Sequence, residues 1–126
     1  MNEFALIEDG YSVTTTIPRV AGLHPAVKVR FRPALMEERS EWRMRSAADL
    51  GGKERTVRAC DLLKTHLEQW DIKNRAGTEV RHNDPSVLAK LQPTLFEKIL
   101  DLILGYEPAK EEDDAKNSLP ASISLS

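Results

Sequence analysis

Residues that carry special chemistry are scarce in this sequence. Cys60 is the single cysteine, so no disulfide can form within the chain, and a reducing compartment is expected. The histidines, His24, His66 and His82, stand at none of the spacings that metal sites use. Cys60 and His66 are six residues apart, which puts them on different faces of one helix. We therefore expect no metal, no other cofactor and no thiol catalysis, with Cys60 as a packing residue.

Long apolar runs are absent as well. Residues 4–7 form a short apolar run between Glu3 and Glu8, which is too brief and too acidic in its flanks for a signal peptide. Residues 99–104 are apolar except for Asp101, whereas a helix that spans a bilayer needs about 20 apolar residues. We therefore expect the chain to work in the cytoplasm.

An excess of one charge is also missing. Charged residues make up 30% of the chain and the net charge is -2, so binding to nucleic acid would need a local basic patch. Adjacent carboxylates, such as Glu37 and Glu38, stand in contexts typical of a solvated surface, whereas acid catalysis needs an enclosed carboxyl group. Gly51 and Gly52 lack the pattern of a phosphate-binding loop. These features predict a protein without enzymatic activity.

Two strands are indicated in the first third of the chain. Residues 11–17 are rich in Thr and Val and end before Pro18. Residues 26–32 alternate between apolar and basic side chains, which is the pattern of a strand with one buried face. We expect the two strands to pair antiparallel. The apolar face, which should pack on helices, consists of Val27, Val29 and Phe31.

Two longer helices are predicted to follow, over residues 34–50 and 53–70, with the glycines at 51 and 52 between them. In the first helix, Leu35 and Trp42 share one face. The second has an apolar stripe of Val57, Cys60, Leu63, Leu67 and Trp70. We expect Trp70 to fill the core and Asp71 to cap a turn. Residues 71–80 have the composition of a structured loop or a small two-strand excursion.

Two further helices have clear end signals. Asp84 is a suitable N-cap for a short helix that starts at Pro85 and runs to about residue 91. The last helix runs from Pro93 to a C-cap at Gly105. The fold class is therefore α+β, with a small antiparallel sheet on about four helices in one domain, residues 1–106. Residues 107–126 carry an acidic run and a Ser-rich segment, and we expect them to be disordered.

Two sets of side chains are candidates for partner binding. The first is the outward face of the second strand: Lys28, Arg30 and Arg32. These three form a solvated surface, a protein contact or a site for nucleic-acid phosphates. The second lies on the last helix: Phe96, Leu100 and Leu104. These three either bind a partner or a second copy of the chain, or they complete the core.

The order of motifs from residue 26 to residue 106 resembles that of the tail assembly chaperones of siphophages and prophages. The resemblance begins with an arginine-ending strand, residues 27–33, that leads into helices and the pair Glu38-Arg39. It continues with a helix that ends in Trp70-Asp71, a turn that contains Gly77, and two short helices, the second opened by Pro93. The remaining matching positions are Ile72, Asn74, Val80, Val87, Leu88, Leu91, Leu95, Ile99, Ile103 and Gly105.

The resemblance implies a function in phage assembly. A protein of this kind binds the long tape measure protein in the host cytoplasm, helps the tail tube protein to polymerise around it, and is not retained in the mature virion. The resemblance also implies a second, longer product made by ribosomal frameshifting, since Ala115, Lys116 and Asn117 can be encoded by a slippery heptamer. Two alternatives stay open: a nucleic-acid-binding regulator that uses the basic strand face and Arg39, and a structural virion component such as a connector or tail subunit.

Overall fold

The structure is a computed structural model that describes residues 5–48 and 52–108. It has three strands and four helices in these ranges, which confirms the α+β class. In chain order the elements are β1 Val13–Ile17, β2 Val27–Phe31, α1 Met36–Ala48, α2 Gly52–His66, β3 Leu67–Trp70, α3 Pro85–Leu88 and α4 Pro93–Leu104. The disorder predicted for residues 107–126 lies outside the described residues from position 109 onward, and so does the predicted frameshift site. None of the described helices is long and apolar enough to span a membrane.

The strands form one antiparallel sheet in the order β1-β2-β3. β1 and β2 pair from Val13 opposite Phe31 to Ile17 opposite Val27, which confirms the predicted antiparallel pair. Along β2, burial alternates at every residue, with the apolar side chains inside. The alternation is therefore a direct consequence of the strand geometry, which sends successive side chains to opposite faces.

The prediction of a helix over residues 53–70 is wrong for its last four residues. α2 ends at His66, and β3 follows from Leu67 without a connecting loop. Trp70 lies opposite Val29 in the sheet, and the register shifts between Arg30 and Phe31. Leu67 and Trp70 are both buried, so the three-residue spacing that suggested a helix arises from a strand with an irregular register.

Two further expectations about apolar faces are corrected. Val57 is 53% exposed and does not belong to the buried stripe of α2. Leu35 precedes α1 and is largely exposed, so it does not share the buried face of Trp42. Trp42 is the one buried residue that α1 contributes. This helix is consequently attached to the domain along a narrow contact.

α4 is the central helix of the core. It buries Leu95, Ile99, Leu100, Leu102, Ile103 and Leu104. Pro93 is its first residue, and the side chain of Gln92 accepts hydrogen bonds from Thr94 N and Leu95 N. At the other end, Gly105 adopts the left-handed conformation with φ of 80°, as its position at the C-cap predicts.

The short helix α3 begins as predicted. Asp84 is its N-cap and its carboxylate accepts a hydrogen bond from Ser86 N at 2.9 Å, while Pro85 occupies the first turn. The helix ends at Leu88 and is therefore shorter than the predicted range to residue 91. Leu88 is fully buried, so this single turn anchors the segment between β3 and α4 to the core.

Candidate partner-binding surfaces

The predicted basic face of β2 is on the surface, but acidic side chains neutralise much of it. Arg30 Nε lies 3.3 Å from Glu68 Oε1 on β3, and Arg32 Nη1 lies 3.7 Å from Glu38 Oε1 on α1. Exposed pairs of this kind contribute about 0.2–1 kcal/mol each and leave little net field. Lys28 is exposed on the same face. The three residues therefore share a surface that is mixed in charge.

The motif around Trp70 joins β3 to the segment that follows it. Trp70 is 6% exposed, and its Nε1–H donates to Val80 O at 2.7 Å. Asp71 accepts a hydrogen bond from Lys28 N at 2.9 Å and so links β2 to the end of β3. Gly77, with φ of 82°, turns the segment back. These contacts hold residues 71–80 against the sheet and give the motif a structural role.

The candidate residues of α4 differ in exposure. Leu100 is 1% exposed and Leu104 is 2% exposed, both inside the hydrophobic core. Phe96 is half-buried and lines a groove of about 200 Å³ with Leu91 and Arg55. The alternative in which the set completes the core fits the burial of the two leucines. Phe96 alone of the three presents surface to a partner.

A buried polar network, which the sequence analysis missed, fastens α1 to the sheet. The fully buried His66 lies at the end of α2. Its Nδ1 is 2.7 Å from Arg32 O, and its Nε2 is 2.9 Å from Glu38 Oε2. Arg32 Nη2 is farther from the same nitrogen, at 3.4 Å. Each ring nitrogen therefore lies within hydrogen-bond distance of an oxygen atom of another element.

The network changes the pKa of the Glu38 carboxyl group. Its partial burial by itself would raise the pKa of the carboxyl group. The hydrogen bond from Leu35 N and the neighbouring His66 and Arg32 outweigh burial, so the pKa of Glu38 lies below its ordinary value of 4.5. The carboxylate therefore stays ionised at neutral pH and connects the start of α1 to the end of α2.

Trp42 is the hydrophobic contact of α1. The guanidinium groups of Arg55 and Arg58 lie 5.3 and 5.0 Å from the centre of its ring. Cation–π contacts at such distances contribute about 0.5–1 kcal/mol when partly exposed. An open groove of about 250 Å³ runs alongside, between Glu41 of α1 and Leu62 of α2. Both helices thus present charged side chains around an apolar floor.

The opposite side of α1 has an outer face, defined by Met36, Ser40, Met44 and Ala47, that carries two large apolar side chains. These four residues lie within about 80° of one another at 3.6 residues per turn. Met36 is 64% exposed and Met44 is 75% exposed. This face was not predicted from the sequence, although the spacing of 36, 40, 44 and 47 was available as a signal. Two large exposed apolar side chains on one helix face make it a candidate surface for protein contact.

Tyr106 lies where the chain leaves α4, against two arginines of α1. The Arg39 guanidinium is 4.4 Å from the ring centre, and Arg43 Nε donates to the Tyr106 hydroxyl at 3.2 Å. Slight burial would raise the pKa of Tyr106, but the hydrogen bonds and charges of Arg43 and Arg39 lower it below its ordinary value. This contact attaches α1 to the end of α4.

Side chains with potential for metal or thiol chemistry stay apart. Among the residues that the structure describes, no group of three or more His, Cys, Asp or Glu side chains could hold a metal ion. Cys60 is half-buried and packs against the core. Burial and the neighbouring Asp61 raise the pKa of its thiol, which disfavours the reactive thiolate.

Comparisons with protein-family models, with curated proteins and with solved structures find no match to this chain. The likeness to tail assembly chaperones therefore rests on the motifs of residues 26–106 alone. The surfaces that bear on it are the mixed-charge face of β2, the half-buried Phe96 and the outer face of α1.

Proposed function

We propose that this protein is a non-enzymatic tail assembly chaperone, which binds the tape measure protein of a siphophage or prophage and assists polymerisation of the tail tube. The observation behind this proposal is the outer face of α1, which presents two methionines to solvent on a helix that buries one residue of thirteen. The exposed methionines of such a helix are available to a partner.

Methionine suits a surface that must accept many sequences. Its side chain is unbranched and polarizable, so it adapts to irregular apolar partners. Ser40 and Ala47, which lie between and beside the methionines, are small and allow a second helix to approach closely. A partner helix would then pack along α1 at the usual interaxial distance of about 8–10 Å. The partner chemistry that fits is an amphipathic helix with an apolar stripe.

The tape measure protein is such a partner according to the resemblance. It is long and apolar on one side, and it would aggregate if it were left uncovered in the host cytoplasm. Binding many copies of a small chaperone along its length would cover that side by multivalent contact. In this proposal the chaperone acts stoichiometrically and needs no cofactor or active site, and it is absent from mature particles.

Co-expression tests the proposal. The tape measure protein should be soluble when it is produced with this chain and should precipitate when it is produced alone. The double substitution Met36→Glu with Met44→Glu should abolish the effect, because two charges on the outer face oppose apolar docking. Since both side chains are exposed, the melting temperature of the double variant should stay within a few degrees of the original.

Arg45→Glu is the matched control, since Arg45 is exposed on another side of the same helix and pairs with Glu41 at 3.1 Å. It should preserve solubilisation of the tape measure protein. The proposal fails if the tape measure protein is equally soluble with and without the chain. Detection of the chain in purified particles would instead favour a structural virion component.

A gel shift at low salt separates the chaperone from the nucleic-acid-binding alternative. A regulator that used Lys28, Arg30 and Arg32 would bind with a steep dependence on salt concentration. Because Glu68 and Glu38 lie against two of these three side chains, we expect no shift of DNA or RNA. A salt-sensitive shift that Arg30→Ala weakens would support the alternative.

A further inference from the structure

Two arginines of α1, Arg39 and Arg43, lack the carboxylate partner that four other arginines of the domain have. Those four lie 3.1–3.7 Å from a glutamate oxygen: Arg30, Arg32, Arg45 and Arg55. Among the residues that the structure describes, no carboxylate pairs with Arg39 or Arg43 in this way. Their two positive charges are therefore available to an anionic partner.

Tyr106 holds this arginine pair in place. Its hydroxyl accepts a hydrogen bond from Arg43 Nε at 3.2 Å, so the two terminal nitrogens of Arg43 remain as donors. The Arg39 guanidinium lies 4.4 Å from the centre of the Tyr106 ring. Because both side chains are already positioned, a ligand would lose little side-chain entropy when it binds them.

The arginine pair borders the outer face of α1. At 3.6 residues per turn, Arg43 is about 20° from Met36 around the helix, and its side chain is exposed. Tyr106 is 42% exposed beside it. Arginine, tyrosine and methionine are all enriched at protein interfaces. A helix that docks on the two methionines would therefore bring one of its flanks against Arg43.

The other border of the outer face is acidic. Glu37 is exposed and is about 20° from Met44 around the helix. An acidic flank of a partner helix would be repelled by Glu37 and attracted by Arg43. Because the two flanks of a helix exchange sides when its direction is reversed, this charge difference also sets the direction in which the partner helix docks.

We propose that Arg39 and Arg43, positioned by Tyr106, bind carboxylate side chains on one flank of the partner helix. The inference rests on the proposed function, because it takes the outer face of α1 as the docking surface. Guanidinium and carboxylate groups form strong, charge-assisted hydrogen bonds. Nucleic-acid phosphates would pair with the same arginines but would leave Met36 and Met44 exposed to water. The surface therefore fits an amphipathic helix with an acidic flank.

Three synthetic peptides test the site on the full chain. Each peptide is about 20 residues long, so that it can form a helix, and has the same leucine stripe with glutamine on one flank. The other flank carries glutamate, glutamine or lysine. Fluorescence anisotropy of the labelled peptides should show that the glutamate peptide binds about 5-fold tighter than the glutamine peptide. The lysine peptide should bind most weakly.

Arg43→Gln should remove the preference for glutamate and leave the affinity for the glutamine peptide unchanged, because it removes the charge alone. Arg45→Gln is the matched control, since Arg45 is exposed on the opposite side of α1 and pairs with Glu41. This control should retain the preference. Both arginines are exposed, so the melting temperatures of the two variants should stay within a few degrees of the original.

Equal binding of the three peptides, or no binding of any of them, would overturn the proposal. A gel shift of duplex DNA that Arg43→Gln abolishes would also overturn it, because the arginines would then bind phosphate groups. Co-expression with the tape measure protein tests the proposed function separately. Solubilisation of the tape measure protein without a glutamate preference would reject the carboxylate site alone, and a glutamate preference without solubilisation would support the site and contradict the function.

Discussion

Trp70 shows how one side chain can serve two neighbouring segments. Its ring is buried in the core cluster, and its indole N–H reaches the carbonyl of Val80 at 2.7 Å. The ring of His82 meets it edge-on, with ring centres 6.2 Å apart. Trp70 thus stabilises the sheet and the return of residues 71–80 at the same time.

Trp70→Ala should lower the free energy of unfolding by about 3–5 kcal/mol, because it removes a large buried ring. Trp70→Phe should cost about 1–2 kcal/mol, since it retains most of the packing but leaves the carbonyl of Val80 without its donor. Urea denaturation followed by circular dichroism measures both. A Trp70→Ala protein with an unchanged midpoint would contradict the role of Trp70 in the core.

Glu38 provides a residue-scale prediction about pH. Its pKa is lowered on folding, so its stabilising contribution is present above its ordinary value of 4.5 and is lost as pH falls through the folded pKa. Glu38→Gln should therefore destabilise the protein by about 1 kcal/mol at pH 7. The difference from the original chain should shrink below pH 4.5. Glu41→Gln, at an exposed i,i+4 pair, is the control and should change stability by a few tenths of a kcal/mol.

At the scale of elements, the ends of helices are governed by local chemistry. Gly105 has φ of 80°, a conformation that costs residues with a Cβ about 1–2 kcal/mol. A Cβ at this position would meet Arg39 Nη1 at 3.7 Å, an ordinary contact. Gly105→Ala should therefore lower the free energy of unfolding by about 1 kcal/mol through the backbone alone.

Gly52→Ala is the control for this substitution. Gly52 opens α2 and has open space where a Cβ would be placed. Alanine there should be neutral or slightly stabilising, because it restricts the unfolded chain. Thermal melts of the two variants measure the difference. A Gly105→Ala protein as stable as the original would show that the left-handed C-cap is not needed.

Helix ends could be predicted from the sequence because their signals are local. Asp84, Pro85, Pro93 and Gly105 act on their immediate neighbours, and the structure confirms each as a helix end. The strand at residues 67–70 could not be predicted because it depends on pairing with β2, some forty residues earlier. Local spacing of apolar residues carries no information about that distant partner.

The candidate surfaces, too, could be predicted from the sequence only in part. Alternation along β2 predicted which side chains point outward, but their neutralisation by Glu68 and Glu38 required three elements to meet. The buried network of His66 arises in the same way, from residues 28 or more positions apart. The burial of Leu100 and Leu104 depends on how many faces of α4 the rest of the domain covers. The sequence of α4 alone does not contain this information.

At the scale of the whole molecule, α1 is the least buried of the described helices for its length, with one buried residue among 13. It buries Trp42 alone, whereas α4 buries six side chains. Amides of α1 should therefore exchange with solvent at least about 10-fold faster than those of α4. Native-state hydrogen exchange measures this order. Equal protection in both helices would show that the Glu38 and Tyr106 contacts hold α1 as firmly as a core helix.

The placement of the tryptophans makes the chain its own fluorescent reporter. Trp70 is enclosed in the core, whereas Trp42 lies within about 5 Å of two guanidinium groups on the inner side of α1. In a Trp70→Phe protein, emission would come from Trp42 alone. Because the outer face of α1 points away from Trp42, a ligand that binds only this face would leave the emission of Trp42 unchanged. A red shift would show that α1 had separated from the domain and exposed Trp42 to water.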